Sequence, residues 1–223
     1  MRFEEVKTRL TNLDAACLCD ADKSLRVNLR VVDPIIRPIR LGLKMVGRAH
    51  TVTCYEDFLT VIKGLRDAQP GEVLVIDAQG GRKAVAGELF PSEALRKGLA
   101  GIIVDGACRD TETVRSLDLP YYARSVCCYP GTTLRLFDTQ VPVSCGGVVV
   151  HPGDVIFGDD DGLVVGSVEQ FAEVIPVAEA IQAKEERILA EMKSGTSLLD
   201  MVNFDEHCAK LAAGEPSQLS FLV

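Results

Sequence analysis

The stretch GELFPSEALRKGLAGIIVDGACRD, residues 87–110, contains a helix and a strand in the order that decides the fold. Residues 88–97 predict a helix that Gly98 ends, and GIIVD at 101–105 predicts a strand. The stretch opens with the acid Glu88 and closes on the pair Arg109-Asp110. One helix followed by one strand returns the chain to the same edge of a sheet, so we expect the acid and the pair to meet there.

The flanking segments extend this alternation. Upstream, residues 47–55 predict a strand, residues 57–69 a helix, and EVLVID at 72–77 a second strand. Downstream, residues 111–117 predict a short helix that ends before a proline. Strands and helices that alternate at this spacing favour an α/β fold with parallel strand pairing.

Beyond residue 121 the sequence is rich in valine and predicts β structure, with segments at 141–150 and 155–165. The run GDDDG at 158–162 admits two interpretations. A calcium loop of the EF-hand type needs spaced oxygen ligands that this run lacks. A hairpin turn in which an Asp-Gly pair supplies a positive φ fits the flanking segments better, and it is our prediction.

The carboxyl-terminal part, residues 168–223, predicts a helical extension of a core formed by residues 1–167. Ser167 and Gln170 have the spacing of a capping box, and Gly195 is placed to end the helix. The apolar residues of this helix fall on one stripe: Ile181, Ile188, Leu189 and Met192. Such a stripe must be covered, and we expect a neighbouring subunit to cover it.

Composition excludes several classes of protein. With 47% hydrophobic and 25% charged residues, the chain has the composition of a globular protein. A net charge of -8 without a stripe of basic residues argues against a nucleic-acid partner. No apolar run reaches the roughly 18 residues of a membrane span, and the amino terminus MRFEEVKTRL is acidic and helical rather than a signal peptide. We expect a cytoplasmic protein.

The cysteines and histidines carry no metal-site spacing. The eight cysteines include no C-x-x-C, so we interpret them as reduced thiols rather than a disulfide framework. His50, His151 and His207 lie far apart in sequence, which argues against a zinc site and favours structural roles.

The chemistry that Glu88, Arg109 and Asp110 suit is specific. One or two carboxylates with several waters is a common way to hold Mg²⁺, and a guanidinium offers forked donors to a carbonyl or carboxylate oxygen. Together they could polarise a 2-oxo acid and stabilise the enolate formed when a C–C bond breaks. Structural alternatives stay open: a helix N-cap for Asp110, a surface ion pair for Arg109 and a first-turn residue for Glu88.

An acid, twenty intervening residues and Arg-Asp resemble the pattern of the family that groups 4-hydroxy-4-methyl-2-oxoglutarate aldolase with the regulator of ribonuclease activity A, the RraA-like family. Four blocks also resemble it: GRAHTV at 47–52, PGEVLVID at 70–77, GLAGIIVDGACRD at 98–110 and CGGVVVHPGDVIFGDDDGLVV at 145–165. The resemblance covers about residues 11–167. It implies a ββα-type sandwich similar to the swivelling phosphohistidine domain, assembled into homotrimers or homohexamers with the site at a subunit boundary.

The resemblance also implies roles for the residues that match the pattern. Asp110 would bind a divalent metal, Mg²⁺ or Mn²⁺, directly, and Glu88 would contact it through water. Arg109 would bind the keto oxygen of pyruvate or of its enolate.

The pyruvate carboxylate would lie at the start of the helix, at the backbone of Gly87, Leu89 and Phe90. Pro91 has no N–H, so only part of such an anion site is available. The loop at residues 79–81 is a candidate for the remaining contacts.

The implied function is a divalent-metal-dependent (class II) pyruvate aldolase that also decarboxylates oxaloacetate. Its substrate would be a di- or tricarboxylic 4-hydroxy-2-oxo acid, of the 4-hydroxy-4-methyl-2-oxoglutarate or 4-carboxy-4-hydroxy-2-oxoadipate type. Arg82, Lys83 and Arg124 are candidates for binding the distal carboxylates. The alternative is a non-catalytic regulator that binds a ribonuclease or helicase.

The length of the chain beyond residue 167 favours the aldolase, because aldolases of this family carry a helical extension that brings an acid to the neighbouring subunit's site. Glu185 and Glu186 are candidates for that acid, and Thr196 stands where an acid is expected. A methyltransferase finds no support, because no G-x-G-x-x-G follows a strand.

Overall fold

The computed structural model describes residues 1–222. Its helices are α1 (Phe3–Leu10), α2 (Ala15–Leu25), α3 (Leu59–Asp67), α4 (Leu89–Lys97), α5 (Thr111–Ser116), α6 (Val168–Lys193) and α7 (Phe204–Ala212), with a 3-10 helix at Leu198–Met201 between the last two. Its strands are β1 (Arg30–Val31), β2 (Arg37–Pro38), β3 (Met45–Thr53), β4 (Glu72–Asp77), β5 (Ala84–Ala86), β6 (Gly101–Cys108), β7 (Tyr121–Val126), β8 (Val143–Cys145), β9 (Val148–Val150), β10 (Val155–Gly158) and β11 (Leu163–Gly166).

A mixed sheet organises the chain, in the order β1-β11-β10-β3-β4-β6-β7-β2, with β5 paired to β6. The neighbours β3, β4, β6 and β7 are parallel, as the alternation of strands and helices predicts. The β10–β11 hairpin, β1 and β2 add antiparallel edges. The α/β fold class is therefore confirmed.

Strand β6 is longer than the sequence predicts. We expected a strand at 101–105 followed by a loop, GACRD, but the strand continues to Cys108 and all eight of its residues are buried. The reason is β5, which the sequence analysis missed: Ala84 and Ala86 pair with Ala107 and Cys108. This extra pairing carries β6 to the residue that precedes Arg109.

The sheet lies between a helical layer and a small second sheet. Alternate side chains of β4 face opposite sides: Leu74 and Ile76 pack with the buried residues of α3 and α4, whereas Val73 and Val75 pack with those of β8 and β9. Strands β8 and β9 form their own two-stranded sheet. This arrangement of two sheets and one helical layer is compatible with the ββα description, while likeness to the swivelling phosphohistidine domain stays a prediction.

The run GDDDG forms the predicted hairpin turn between β10 and β11, but not by the predicted backbone. No residue from Asp159 to Gly162 has a positive φ. Instead, the buried Asp159 carboxylate accepts the N–H of Asp161 at 3.0 Å and that of Ala15 at 2.7 Å. A side-chain hydrogen bond to the backbone two residues on shapes the turn, which removes the need for a left-handed residue.

Helix α6 is anchored to the core. It begins with the predicted Ser167–Gln170 capping box. Phe171 and Val174 are fully buried in one cluster with α1, α2 and the strand residue Phe157. The first half of the proposed extension is thus packed into the same core as residues 1–167.

The apolar stripe of α6 corrects our expectation about its cover. Ile188 is buried within the chain itself, and Ile181 packs partly against the cluster of α1 and α2. Leu189 and Met192 are 54% and 41% exposed. Helices of the same chain therefore cover part of the stripe that we had assigned to a neighbouring subunit.

Two further expectations concern chemistry and location. All eight cysteines are free thiols, as predicted. Within residues 1–222, no helix is both long and apolar enough to span a membrane.

We predict that Phe171→Ala lowers the free energy of unfolding by about 3–5 kcal/mol, because it empties a fully buried site between α6, α1 and the sheet. Met192→Ala, on the exposed second half of the same helix, is the matched control and should change it by less than about 0.5 kcal/mol. Urea unfolding followed by circular dichroism measures both. A change in unfolding free energy for Phe171→Ala as small as that for Met192→Ala would show that α6 is not part of the core.

Candidate active site

A pocket lies where β5, β6 and the start of α4 meet, at the carboxyl ends of the parallel strands. Gly87, Glu88, Leu89, Phe90, Arg109 and Asp110 all line it. Arg109 follows β6, and its N–H donates to the Ala86 carbonyl at 3.1 Å, which ties the two ends of the opening stretch together. The structure thus brings the acid and the Arg-Asp pair to one edge of the sheet.

Asp110 has a left-handed backbone, and its carboxylate does not cap the helix that follows it. Its φ is 56°, in the left-handed region that a non-glycine residue rarely adopts. It precedes α5, but its side chain does not cap that helix. Instead, Oδ2 accepts the N–H of Glu88 at 3.2 Å and lies 3.4 Å from Nε of Arg109. Strained residues of this kind concentrate at functional sites, which favours the functional interpretation of Asp110 over the N-cap.

Gly87 makes this contact possible. A Cβ at this position would lie 2.3 Å from Oδ2 of Asp110 and 3.1 Å from Nε of Arg109. Any larger residue would push the carboxylate away from the backbone of α4. The sequence analysis placed Gly87 near a substrate. In the structure, the lack of a side chain at Gly87 also lets the Arg109-Asp110 pair approach helix α4.

The start of α4 offers less to an anion than expected. The Phe90 N–H donates to the Gly87 carbonyl at 3.2 Å, and Pro91 has no backbone N–H. Of the two N–H groups that the sequence analysis proposed, the Leu89 group is the one that has no acceptor within residues 1–222. Leu89 as a whole residue is 75% exposed, which places it on the open side of the pocket.

The donor set fits a hard divalent cation held with the help of water. Within residues 1–222, no three His, Cys, Asp or Glu side chains gather into a metal-binding group. The pocket offers two carboxylates, Asp110 and Glu88, of which Asp110 is held in place by the Glu88 N–H. Mg²⁺ commonly keeps several waters and takes one or two carboxylates, whereas a structural zinc site needs four ligands.

The cations proposed for the distal carboxylates lie elsewhere. None of Arg82, Lys83 and Arg124 lines the pocket. Lys83 pairs with Glu56 at 2.8 Å, and this pairing lowers the pKa of Glu56. Arg124 forms an ion pair with the buried Asp105.

The tail acids are also outside the pocket of their own chain. Glu185, on α6, accepts a hydrogen bond from the Cys17 thiol of α2 at 3.5 Å. Glu186, also on α6, is exposed. Thr196 lies 3.5 Å from a carboxylate oxygen of Glu191. A role for Glu185 or Glu186 in a neighbouring subunit's site stays a prediction.

Sequence reasoning missed the other wall of the pocket, which contains Phe58, Ile62 and Pro130. Buried Asp57 fixes this wall, because its carboxylate accepts the Thr132 hydroxyl at 2.6 Å and the Leu134 N–H at 2.6 Å. Burial alone would raise the pKa of Asp57, but these bonds hold it below its ordinary value. The segment around Pro130 is held by isolated bridges, Pro130 with Ala84 and Thr132 with Asp57, and it carries no motif, so no pattern indicated it.

Comparison with known proteins agrees with the resemblance. Residues 15–165 match the family model described as RraA-like, Aldolase/RraA. The chain belongs to the RraA-like family. A member from Halalkalibacterium halodurans, named "Putative 4-hydroxy-4-methyl-2-oxoglutarate aldolase", is 36% identical over 181 residues, which cover 80% of this chain and 84% of that protein.

Two solved structures share the fold of this chain. An uncharacterized protein from Pseudomonas syringae superimposes with a TM-score of 0.76 at 30% identity, covering 88% of this chain and 96% of that one. Streptomyces coelicolor RraAS2, described as an unusual member of the RNase ES inhibitor RraA family, gives a TM-score of 0.72 at 31% identity, covering 82% and 94%.

We predict that Gly87→Ala weakens Mn²⁺ binding by about 10- to 100-fold, because the new methyl group displaces the Asp110 carboxylate from the Glu88 N–H. Gly162→Ala is the matched control, since a Cβ there would meet no atom within 4 Å and the φ of Gly162 is not positive. Titration calorimetry with Mn²⁺ measures both. Unchanged affinity in Gly87→Ala would show that Asp110 is not a ligand.

Proposed function

We propose that this protein is a divalent-metal-dependent pyruvate aldolase, which cleaves a 4-hydroxy-2-oxo acid to pyruvate and a carbonyl compound and also decarboxylates oxaloacetate. The observation that supports this most is the cluster at the end of β6. There, Arg109 and Asp110 lie beside the start of α4, with the Glu88 N–H on the Asp110 carboxylate. Relatives named as aldolases agree with the assignment.

Arg109 would bind and orient the 2-oxo acid. Its Nε already lies 3.4 Å from Asp110, and its side chain is 41% exposed toward the pocket and solvent. A guanidinium that is held on one side by a carboxylate can donate its remaining N–H groups to the keto oxygen. Such donors matter most as negative charge develops on that oxygen during C–C cleavage.

Asp110 and Glu88 would hold Mg²⁺ or Mn²⁺, Asp110 directly and Glu88 through water. When bound, the cation would supply Lewis-acid stabilisation of the same developing charge. The Leu89 N–H at the start of α4 would receive the substrate's C1 carboxylate, where the helix dipole favours an anion. Glu88 is then placed to exchange protons with substrate through a water molecule.

A homotrimer or homohexamer is part of this proposal. The pocket is bordered by exposed apolar residues, Leu89 at 75% and Ile62 at 43% exposure, and the second half of α6 exposes Leu189. Apolar patches of this kind mark interaction surfaces. In such an assembly Glu185 or Glu186 could reach a neighbour's pocket.

A non-catalytic regulator that binds a ribonuclease or helicase is the second candidate. The solved relative described as an RNase ES inhibitor family member supports it. So do Tyr129, Leu134 and Leu136, which are 65%, 83% and 70% exposed on the segment after β7 and offer a surface to a protein partner.

Pyruvate release from oxaloacetate separates the two candidates. Purified protein should release pyruvate above the spontaneous rate when Mg²⁺ or Mn²⁺ is added, and EDTA should abolish the excess, because the donor set needs the cation to stabilise the enolate. Coupling to lactate dehydrogenase follows the product. A rate in the presence of metal that the protein does not raise would contradict the aldolase and favour the regulator.

We predict that Arg109→Lys lowers kcat by about 10² to 10³, since lysine lacks the planar fork that holds the developing enolate oxygen. Mn²⁺ affinity should persist, because Asp110 is intact. The chain offers a matched control in Arg66→Lys, the other Arg-Asp pair, which is exposed on α3 outside the pocket. If the parent protein is active and the kcat of Arg109→Lys lies within about threefold of the parent's kcat, the guanidinium has only a structural role.

A further inference from the structure

One wall of the pocket is formed by two segments that are far apart in sequence. The first is the start of α3, which contributes Phe58, and the second is residues 129–137, the strap, which contributes Pro130. The strap follows β7 and runs beside β5, where the Gly131 N–H donates to the Ala84 carbonyl at 2.9 Å. The position of the strap relative to α3 therefore fixes the shape of this wall.

Asp57 joins these two segments through one carboxylate. Its Oδ1 accepts the N–H of Leu59, the first residue of α3, at 3.0 Å. Its Oδ2 accepts three donors of the strap: the Thr132 hydroxyl at 2.6 Å, the Leu134 N–H at 2.6 Å and the Arg135 N–H at 3.2 Å. One oxygen binds the helix and the other binds the strap, so the carboxylate sets the distance between them.

The Asp57 carboxylate is ionised at neutral pH although it is only 1% exposed. Burial raises the pKa of Asp57, but its hydrogen bonds with Thr132 and with backbone N–H groups together hold it below its ordinary value. Hydrogen bonds to an ionised acceptor are stronger than bonds to a neutral one. Because these bonds are buried inside one chain, contacts that a neighbouring subunit adds at the pocket leave them in place.

The backbone at this junction is also closely fitted. The Thr132 N–H donates to the Glu56 carbonyl at 2.9 Å, and the Phe58 N–H donates to the Thr132 carbonyl at 2.8 Å. A Cβ on Gly131 would lie 2.7 Å from the Glu56 carbonyl oxygen. Glu56 has a φ of 50°, in the left-handed region. Strained residues of this kind persist where the surrounding contacts fix them, and they concentrate at functional sites.

On the basis of the proposed aldolase function, we infer that Asp57 is a positioning residue, which holds Phe58 and Pro130 against the substrate bound at Arg109 and takes no part in the chemical step. Asp57 itself lies outside the lining of the pocket. The wall that it fixes contacts the substrate and the transition state alike. Contacts of this kind lower KM and leave kcat unchanged.

Asp57→Ala tests this inference, because it removes the acceptor of all four hydrogen bonds. With Mg²⁺, we expect KM for oxaloacetate to rise at least about fivefold and kcat to stay within about threefold of the parent's. Hydrogen–deuterium exchange at the Leu134 and Arg135 amides should become at least about tenfold faster, since the strap opens more often. Affinity for Mn²⁺ should equal the parent's, because Asp110 and Glu88 are intact.

Thr132→Val is a milder variant that tests the same contact if Asp57→Ala does not fold. It removes the hydroxyl donor and keeps the outline of the side chain, so KM should rise at least about twofold with kcat unchanged. Thr133→Val is the matched control. Thr133 is the next residue of the strap and is also exposed, but it is not among the donors to Asp57. Its KM should equal the parent's.

The outcomes distinguish this inference from the function on which it rests. If the parent protein does not raise the rate of oxaloacetate decarboxylation, the proposed function is wrong, and the role of Asp57 is wrong with it. If the parent is active but either Thr132→Val or a folded Asp57→Ala has the parent's KM, only the inference is wrong.

Two further results with an active parent would overturn the role of Asp57. Unchanged exchange at Leu134 and Arg135 in Asp57→Ala would show that other contacts hold the strap. A fall in kcat together with a loss of Mn²⁺ affinity would show that Asp57 supports the whole fold rather than one wall of the pocket.

Discussion

The approach of the Asp110 carboxylate to the Glu88 N–H is the contact on which the site depends. It requires three features at once: a β6 strand that runs to Cys108, a left-handed backbone at Asp110 and the lack of a side chain at Gly87. Strand β5 supports the first of these by pairing with the end of β6. The main sheet therefore places the Arg-Asp pair where the Asp110 carboxylate can accept a hydrogen bond from the backbone at the start of helix α4.

Local pattern was enough to predict the parallel core. EVLVID coincides with β4, and the predicted strand and helix before it differ from β3 and α3 by two residues at each end. Glu88, Arg109 and Asp110 could be placed together because chain direction alone returns them to one sheet edge. The three-residue strand β5 and the segment around Pro130 could not be predicted, since both are held by contacts distant in sequence, such as those of Asp57.

The errors share a physical cause. Three assignments were made from residue type alone, yet each side chain or turn depends on a partner that the sequence does not mark. Arg124 pairs with Asp105, and Lys83 pairs with Glu56. The turn at Asp161-Gly162 depends on the carboxylate of Asp159. The stripe on α6 was assigned to a neighbour as a whole, although Ile188 is buried within the chain itself and Ile181 packs against the cluster of α1 and α2. Periodicity predicts that a face is covered but does not identify what covers it.

The central claim of the proposed function is that pyruvate enolate forms at Arg109 and Asp110. Proton NMR of pyruvate in D₂O measures this without any assumption about the aldol substrate, because enolate formation replaces the methyl protons with deuterium. With protein and Mg²⁺ we expect the methyl signal to decay faster than in buffer, and Asp110→Asn to remove the acceleration. A methyl signal that decays equally fast with the parent protein, with Asp110→Asn and with buffer alone would contradict the assignment of this cluster as an active site.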